Sequence, residues 1–168
     1  MITAGPRAFL MLVALCSACL AITPSDLLTH LPTQYFNDYS QVLKPATVAS
    51  LNHALANFER ETSNQILVVI FQDWPPDLVF DDYAQALFHS AKIGQQGKDN
   101  GVLVLLSLKE GRIRIHTGRG FEKGALPNAL CAQIIAEDFA PQFRKGNLDE
   151  SLTRGLAAIM SATRDAFK

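Results

Sequence analysis

The sequence predicts an α/β fold with a small mixed sheet, and three features of its middle part indicate this class. Residues 65–71 (QILVVIF) form a continuous apolar run rich in β-branched side chains, which is typical of a strand buried on both faces. A second apolar run, residues 102–108, follows a helical segment, so these two strands should be parallel. Residues 112–116 (RIRIH) alternate polar and apolar side chains, which predicts a third strand that returns as a hairpin at the sheet edge.

Four segments have the periodicity of amphipathic helices that would cover this sheet. The first opens at Pro45, because a proline fits the first turn of a helix. The second begins near Asp81, whose charge favours a helix N-terminus, and ends at Gly94. The third opens at Pro127 and should stop at Pro141. The fourth carries an apolar stripe made of Leu148, Leu152, Leu156, Ile159 and Ala162.

The first 21 residues have the pattern of a secretory signal peptide. Arg7 precedes a short apolar run that ends in small residues, and this run is shorter than the roughly 20 residues that a membrane span needs. We therefore predict a signal peptide over residues 1–21, a linker over residues 22–35 and one domain over residues 36–168. The protein would be exported, either periplasmic or secreted, without an integral membrane span in the mature chain. A retained N-terminal anchor helix and a lipoprotein modified at Cys19 remain as alternatives.

The composition excludes some classes of protein. The chain has 168 residues, of which 48% are hydrophobic, and this is enough to build the core of a single domain. Its formal net charge is −1, and Lys and Arg form no runs, which argues against a nucleic-acid-binding surface. After removal of the leader only Cys131 would remain, so no internal disulfide can form.

Several familiar motifs are absent. Gly97-Lys98 lacks the spacing of a phosphate-binding loop and precedes a strand, where no helix dipole could serve a phosphate. Residues 118–124 (GRGFEKG) resemble a dinucleotide fingerprint, but no later strand supplies the acid that would hold the ribose. We expect the glycines of that stretch to be turn residues with positive φ. The histidines show no zinc-ligand spacing, and His116 is expected to be an ordinary surface residue.

Polar side chains from two separate loops should meet at one edge of the sheet. Asp99 and Asn100 come directly before the second predicted strand, and Arg119 and Glu122 follow the third. Because a hairpin returns the chain to its starting edge, these residues should be neighbours. Asp99, Asn100 and Glu122 offer hard oxygen ligands for Ca²⁺ or Mg²⁺, and Arg119 could contact an anion such as a phosphate. The alternative is that Asp99 and Asn100 only form a turn, since both are favoured turn residues.

Five stretches resemble, in order, the motifs of the TPM domain family. This family is named for a thylakoid lumen phosphatase, a photosystem II repair protein and a nematode acetylcholine-receptor modulator. The similar stretches are residues 37–43 (NDYSQVL), 62–69 (TSNQILVV), 93–103 (IGQQGKDNGVL), 118–122 (GRGFE) and 140–147 (APQFRKGN). Each motif is weak by itself, whereas their joint order is specific.

The resemblance implies a compact three-layer α/β/α sandwich on the outer side of a membrane, with a divalent-ion site built from loop acids. Asp38 and Asp99 match the acidic positions of the family, and Glu122 matches the acid after its Gly-x-Gly. Asp38 enters the candidate site only through this resemblance. Ala91-Lys92 stands where the family commonly has a tryptophan, a departure that should affect packing alone.

Two functional hypotheses follow. The first is an exported module that binds a divalent cation and supports the assembly or maintenance of membrane protein complexes, with an apolar surface near residues 74–76 as a partner contact. The alternative is a metal-dependent acid phosphatase acting on phosphomonoesters. In both cases Asp38, Asp99, Asn100 and Glu122 would hold the metal. In the phosphatase, Asp99 and Arg119 would also serve catalysis.

Overall fold

The computed structural model describes residues 22–167, and the predicted signal peptide lies outside them. The strands are β1 (Phe36–Asp38), β2 (Gln65–Phe71), β3 (Gly101–Ser107) and β4 (Arg112–Thr117). The helices are α1 (Pro24–Leu27), α2 (Pro45–Thr62), α3 (Phe80–Ser90), α4 (Arg119–Glu122), α5 (Asn128–Ile134), α6 (Ala140–Phe143) and α7 (Leu148–Thr163). A π-helical turn, Ile135–Phe139, joins α5 to α6.

The strands form one mixed sheet in the order β1-β2-β3-β4. β1 is parallel to β2, β2 is parallel to β3, and β4 is antiparallel to β3. The parallel pair and the hairpin at the edge, both predicted from the sequence, are therefore confirmed. β1 was not predicted, because three residues are too few to show an alternation and only their pairing with β2 defines the strand.

Two hydrophobic cores lie on the two faces of the sheet. On one face, Ile66, Val68 and Ile70 of β2 pack with apolar side chains of α2, α5 and α7. On the other face, Leu67 and Val69 pack with apolar side chains of α1 and α3. Successive side chains of a strand point to opposite faces, so one apolar run serves both cores. The predicted α/β class and its three-layer arrangement are confirmed.

The predicted linker contains a docked helix. Leu27 of α1 is completely buried in the α3-side core, and the hydroxyl of Tyr83 donates a 2.7 Å hydrogen bond to the carbonyl of Pro24. Thr23 and Asp26 form a capping box that begins the helix. Residues 22–35 are thus partly packed against the domain, although the TPM-like motifs begin only after them.

Pro141 does not stop the third predicted helix. The chain stays helical through it, as Pro141 occupies the first turn of α6. Pro141 lacks the N–H that would bond to the carbonyl four residues earlier, and the preceding residues widen into the π-turn before the helix resumes. The prediction failed because a proline can begin a new helical segment as readily as it ends one.

The expectation of an exposed apolar surface at residues 74–76 is wrong for Trp74. Its side chain is only 8% exposed, and its ring centroid lies 4.7 Å from that of Phe80 and 4.9 Å from that of Tyr83. Its indole N–H donates a 2.8 Å hydrogen bond to the carbonyl of Leu78. Trp74 therefore belongs to the core on the α3 side, where both its apolar ring and its N–H find partners.

Within residues 22–167, none of the helices combines the length and the apolar character that crossing a bilayer would require.

Candidate functional site

The loop before β3 and the loop after β4 touch through their backbones. The N–H of Gly118 donates to the carbonyl of Gly101 at 2.9 Å, and the N–H of Gly120 donates to the carbonyl of Asp99 at 3.2 Å. A Cβ atom on Gly118 would lie 2.1 Å from that Asp99 carbonyl oxygen, a distance that no side chain tolerates. The expected positive φ is wrong here, since Gly118 has φ −69°. Glycine is needed for the close approach of the two loops.

Asn100 holds this pair of loops from inside. Its side chain is completely buried, and its Oδ1 accepts a 2.8 Å hydrogen bond from the N–H of Gln95. Its Nδ2 donates to the carbonyl of Ser63 at 2.7 Å and to Oδ1 of Asn64 at 3.2 Å. Because every polar atom of the carboxamide already has a partner within the fold, Asn100 acts as a structural connection between loops. Asn100 is fully buried and does not line the cleft beside these loops, so its oxygen is not presented to a cation there.

Asp99, Arg119 and Glu122 line one cleft beside these loops. The cleft has a volume of about 680 Å³ and is bounded by α3, by the loop before β3 and by the end of β4 with the start of α4. All three side chains belong to exposed residues, and Asp99 has the left-handed φ of 49° that is typical of a turn. Within residues 22–167 we find no hydrogen bond or ion pair that engages the Asp99 carboxylate. The Asp99 carboxylate thus remains available to a ligand, and Glu122 lies at an exposed position in the same cleft.

Two histidines that the sequence did not indicate as site residues line the same cleft. His89 lies at the end of α3 and His116 near the end of β4, with their ring centroids 6.4 Å apart. His116 also packs against Phe88, at 4.8 Å between centroids. Burial, with the positive charge of Arg114 and the neighbouring His89 as smaller causes, lowers the pKa of His116 below its usual value, although Glu122 opposes the shift. His116 is therefore mostly neutral at pH 7 and able to accept a proton.

The packing of α3 against β4 brings these histidines together, and that packing is what the sequence did not show. Position 116 alternates with Arg112 and Arg114, and such a pattern predicts a solvated strand face. The one available signal was its place, one residue before the loop that carries Arg119 and Glu122.

Asp38 lies at the opposite edge of the sheet. It ends β1 and pairs with Ile70 at the end of β2, whereas the loop before β3 lies beside Gln65, at the start of β2. Five residues of β-strand separate these two levels by roughly 17 Å. The structure therefore brings Asp99 and Glu122 to one cleft and does not bring Asp38 to it.

The carboxylate of Asp38 is occupied by its own loop. Its Oδ1 accepts hydrogen bonds from the N–H of Ser40, at 3.1 Å, and from the hydroxyl of the same residue. Its Oδ2 accepts from the N–H of Leu43 at 2.9 Å. Asp38 thus closes the turn that leads from β1 to α2, the usual task of an aspartate in such a loop.

The donor set limits which metal the cleft could hold. Within the part of the chain that the structure describes, no three His, Cys, Asp or Glu side chains converge as a closed metal cage requires. Asp99 and Glu122 supply two carboxylates in one cleft, and hydrated Mg²⁺ is commonly bound through one or two carboxylates while it keeps several waters. These residues fit a hydrated hard cation. They do not fit a tetrahedral zinc centre or a fully dehydrated calcium cage.

The fold and the cleft define a small three-layer α/β domain with acids, an arginine and two histidines at one sheet edge. The TPM domain family model matches residues 36–162, which is most of the chain, and the protein belongs to this family. No curated protein matches the chain in sequence.

Solved structures from three bacteria share the fold. The N-terminal domain of a protein from P. gingivalis is 26% identical, with a TM-score of 0.74, 88% of this chain and 94% of that chain being covered. The BA42 protein of the psychrophilic bacterium Bizionia argentinensis is 19% identical, with a TM-score of 0.63 and coverages of 76% and 85%. The N-terminal domain of the cg2496 protein from Corynebacterium glutamicum is 12% identical, with a TM-score of 0.60 and coverages of 78% and 80%. The last two similarities concern the fold alone.

Proposed function

We propose that this TPM-domain protein is an exported module that binds Ca²⁺ or Mg²⁺ and supports the assembly or maintenance of membrane protein complexes. The observation that carries the proposal is the pair of carboxylates, Asp99 and Glu122, at exposed positions in one cleft. Their loops are fixed by backbone contact and by the buried Asn100, so the acids sit on a rigid frame. A cation between the two loops would join the start of β3 to α4.

Thermal unfolding in the presence of Ca²⁺, Mg²⁺ or EDTA tests the binding. A ligand that prefers the folded state raises the free energy of unfolding, by about 2.7 kcal/mol at a hundredfold excess over Kd. We expect either ion to raise the Tm of the wild type and of Asp77→Asn, which removes an exposed carboxylate outside the cleft. The same ion should leave the Tm of Asp99→Asn and Glu122→Gln unchanged.

Amide NMR during the same titration locates the ion. Shifts confined to residues 94–100 and 117–122 would support the cleft as the site. Shifts around Asp38, or an ion effect that survives both substitutions, would reject it.

A metal-dependent phosphomonoester hydrolase is the second candidate, and one observation favours it. The cleft that holds the acids also holds Arg119 and the mostly neutral His116. Arg119 would bind the phosphoryl oxygens, and a ring nitrogen of His116 would take the proton from the attacking water and pass it to the leaving alkoxide. A divalent cation, when bound, would polarise the phosphoryl oxygen and acidify the water.

Hydrolysis of p-nitrophenyl phosphate by the purified domain, with each cation and with EDTA, separates the two candidates. Catalysis by this cleft requires turnover that EDTA abolishes and that His116→Gln and Arg119→Gln each lower at least about tenfold, because general acid–base and charge-stabilising groups contribute that much or more. Turnover that persists in both variants would indicate a contaminating phosphatase. Cation binding without turnover would leave the binding module as the function.

A further inference from the structure

β4 has a free edge at which no other strand is bound. Among the described strands it pairs with β3 alone. The hydrogen bond from Gly118 to Gly101 sets the alternation of the ladder, so Arg112, Arg114 and His116 direct their backbone groups toward β3. Ile113 and Ile115 consequently direct their N–H and C=O groups away from β3. Ile113 is half-buried and Ile115 is 2% exposed, so these groups lie at the floor of a groove. Within residues 22–167 no hydrogen bond reaches these groups.

A groove of about 600 Å³ runs along this free edge, and its two walls differ in character. The wall on the helical side is small and apolar, formed by residues such as Ala132, Ile135 and Phe143. The wall on the α3 side is formed by Arg112 and Arg114 with the start of α3. An added strand would therefore present alternate side chains to an apolar wall and to a basic wall.

The basic wall retains unused capacity for anions. The guanidinium of Arg112 stacks on the ring of Phe80, 4.4 Å from its centroid, and takes part in no ion pair within the described residues. The Nε of Arg114 lies 3.2 Å from Oδ1 of Asp81, yet its N–H does not point at that oxygen and is a buried donor without a hydrogen bond. On the helical side of the groove, Arg144 is exposed and has no ion pair among residues 22–167. Three arginines against one aspartate leave the groove positively charged.

We propose that the free edge of β4 binds an extended peptide segment of a partner protein, in which acidic residues alternate with small or apolar residues. The segment would add to the sheet as a fifth strand, with its backbone bonded to Ile113 and Ile115. Its acidic side chains would lie beside Arg112 and Arg114, since opposite charges on neighbouring strands stabilise a pair. The proposal rests on the partner-binding part of the proposed function and is independent of the cation cleft.

Charge argues against two other occupants of this edge. A second copy that paired β4 with β4 would place arginines against arginines on the same face, and like charges in that arrangement destabilise a ladder. Residues 1–21 of the same chain contain no Asp or Glu, so they cannot supply the alternating acids.

An acetylated, amidated nonapeptide of alternating valine and glutamate is the first probe. The peptide is added to the ¹⁵N-labelled domain at up to about 1 mM, which is enough to detect a complex with a Kd near that concentration. It should change the amide chemical shifts of Ile113 and Ile115 and slow the hydrogen exchange of these amides. The matched peptide of alternating valine and lysine should do neither. Two further peptides carry N-methyl groups either at every valine or at every glutamate, which removes half of the backbone donors without changing the charge. Only every second N–H of an added strand faces β4, so one of these two peptides should bind at least about tenfold more weakly.

Variants of the groove complete the test. The double change Arg112→Gln and Arg144→Gln should weaken peptide binding about fivefold, while Arg60→Gln, on exposed α2, should not change it. Peptide binding should also be the same with Ca²⁺ and with EDTA, which separates failure of this proposal from failure of the cation site. Three results would each overturn the proposal. These are unchanged exchange at Ile113 and Ile115, methylated peptides that both bind as well as the parent peptide, and a protein dimer that protects these amides without peptide. The arginines would then serve to protect a bare strand edge.

Discussion

Two acids of this domain, Asp38 and Asp99, lie at opposite edges of the same sheet and have different roles. The Asp38 carboxylate accepts three hydrogen bonds from Ser40 and Leu43 and closes a turn. Asp99 is exposed and lines a cleft, and its buried neighbour Asn100 carries the structural contacts instead. One carboxylate is used for hydrogen bonds within the fold, and the other is available to bind a ligand. Residue type alone does not distinguish these two roles.

Replacement of Asn100 should give the largest effect on stability. Asn100→Ala would leave the N–H of Gln95 and the carbonyl of Ser63 without their partner at part-buried positions, and the amide oxygen of Asn64 without its partner at a buried one. We expect a loss of about 3 kcal/mol in the free energy of unfolding, measured by urea denaturation. Asn57→Ala, on the outer part of α2, should lose less than about 0.5 kcal/mol. Equal losses in the two variants would mean that Asn100 does not hold the loops.

Replacement of Asp38 should come second. In Asp38→Asn one acceptor oxygen becomes an NH₂ donor that faces either Ser40 or Leu43, both of which donate to this carboxylate. We expect a loss of about 1–2 kcal/mol, with the response to Ca²⁺ or Mg²⁺ unchanged. If Asp38→Asn kept full stability and lost the response to the cation, Asp38 would be the ligand-binding acid and not the structural one.

Replacement of Asp99 should barely change stability. Asparagine tolerates the left-handed backbone of this position, so Asp99→Asn should stay within about 0.5 kcal/mol of the wild type in the absence of metal. The same variant should lose the rise in Tm that Ca²⁺ or Mg²⁺ causes. A large intrinsic loss of stability would show that Asp99, like Asp38, holds its loop.

The smallest expected effect concerns pH. The folded state lowers the pKa of His116 below 6.5, so below about pH 6.5 the unfolded chain binds more protons at this residue. Stability contributed by neutral His116 is therefore present above that pH and decreases as the pH falls through about 6.5. Urea denaturation at about pH 7.5 and pH 5.5 should show a smaller decrease for His116→Gln than for the wild type. An identical decrease would mean that the histidine is as solvated in the fold as in the unfolded chain.

The sequence predicted the frame of the domain better than the partners of its polar side chains. The apolar run of β2 and the alternation in β4 gave the sheet order at one edge, and from it the meeting of the loops that carry Asp99 and Glu122. β1 was too short to carry a pattern, and without it the edge to which Asp38 belongs was undetermined. The use of Asn100 inside the fold and the approach of His89 to His116 depend on how helices and loops pack across the sheet. Local periodicity contains no information about such contacts.

The docking of α1 has a geometric consequence for any anchored form of the protein. Leu27 and the bond from Tyr83 to Pro24 hold the chain on the α3 side of the sheet. A lipid on Cys19 would be joined to Pro24 by a tether of five residues, which extends to roughly 17 Å at most. So short a tether would keep the α3 layer turned toward the bilayer surface and the opposite helical layer turned toward the aqueous space.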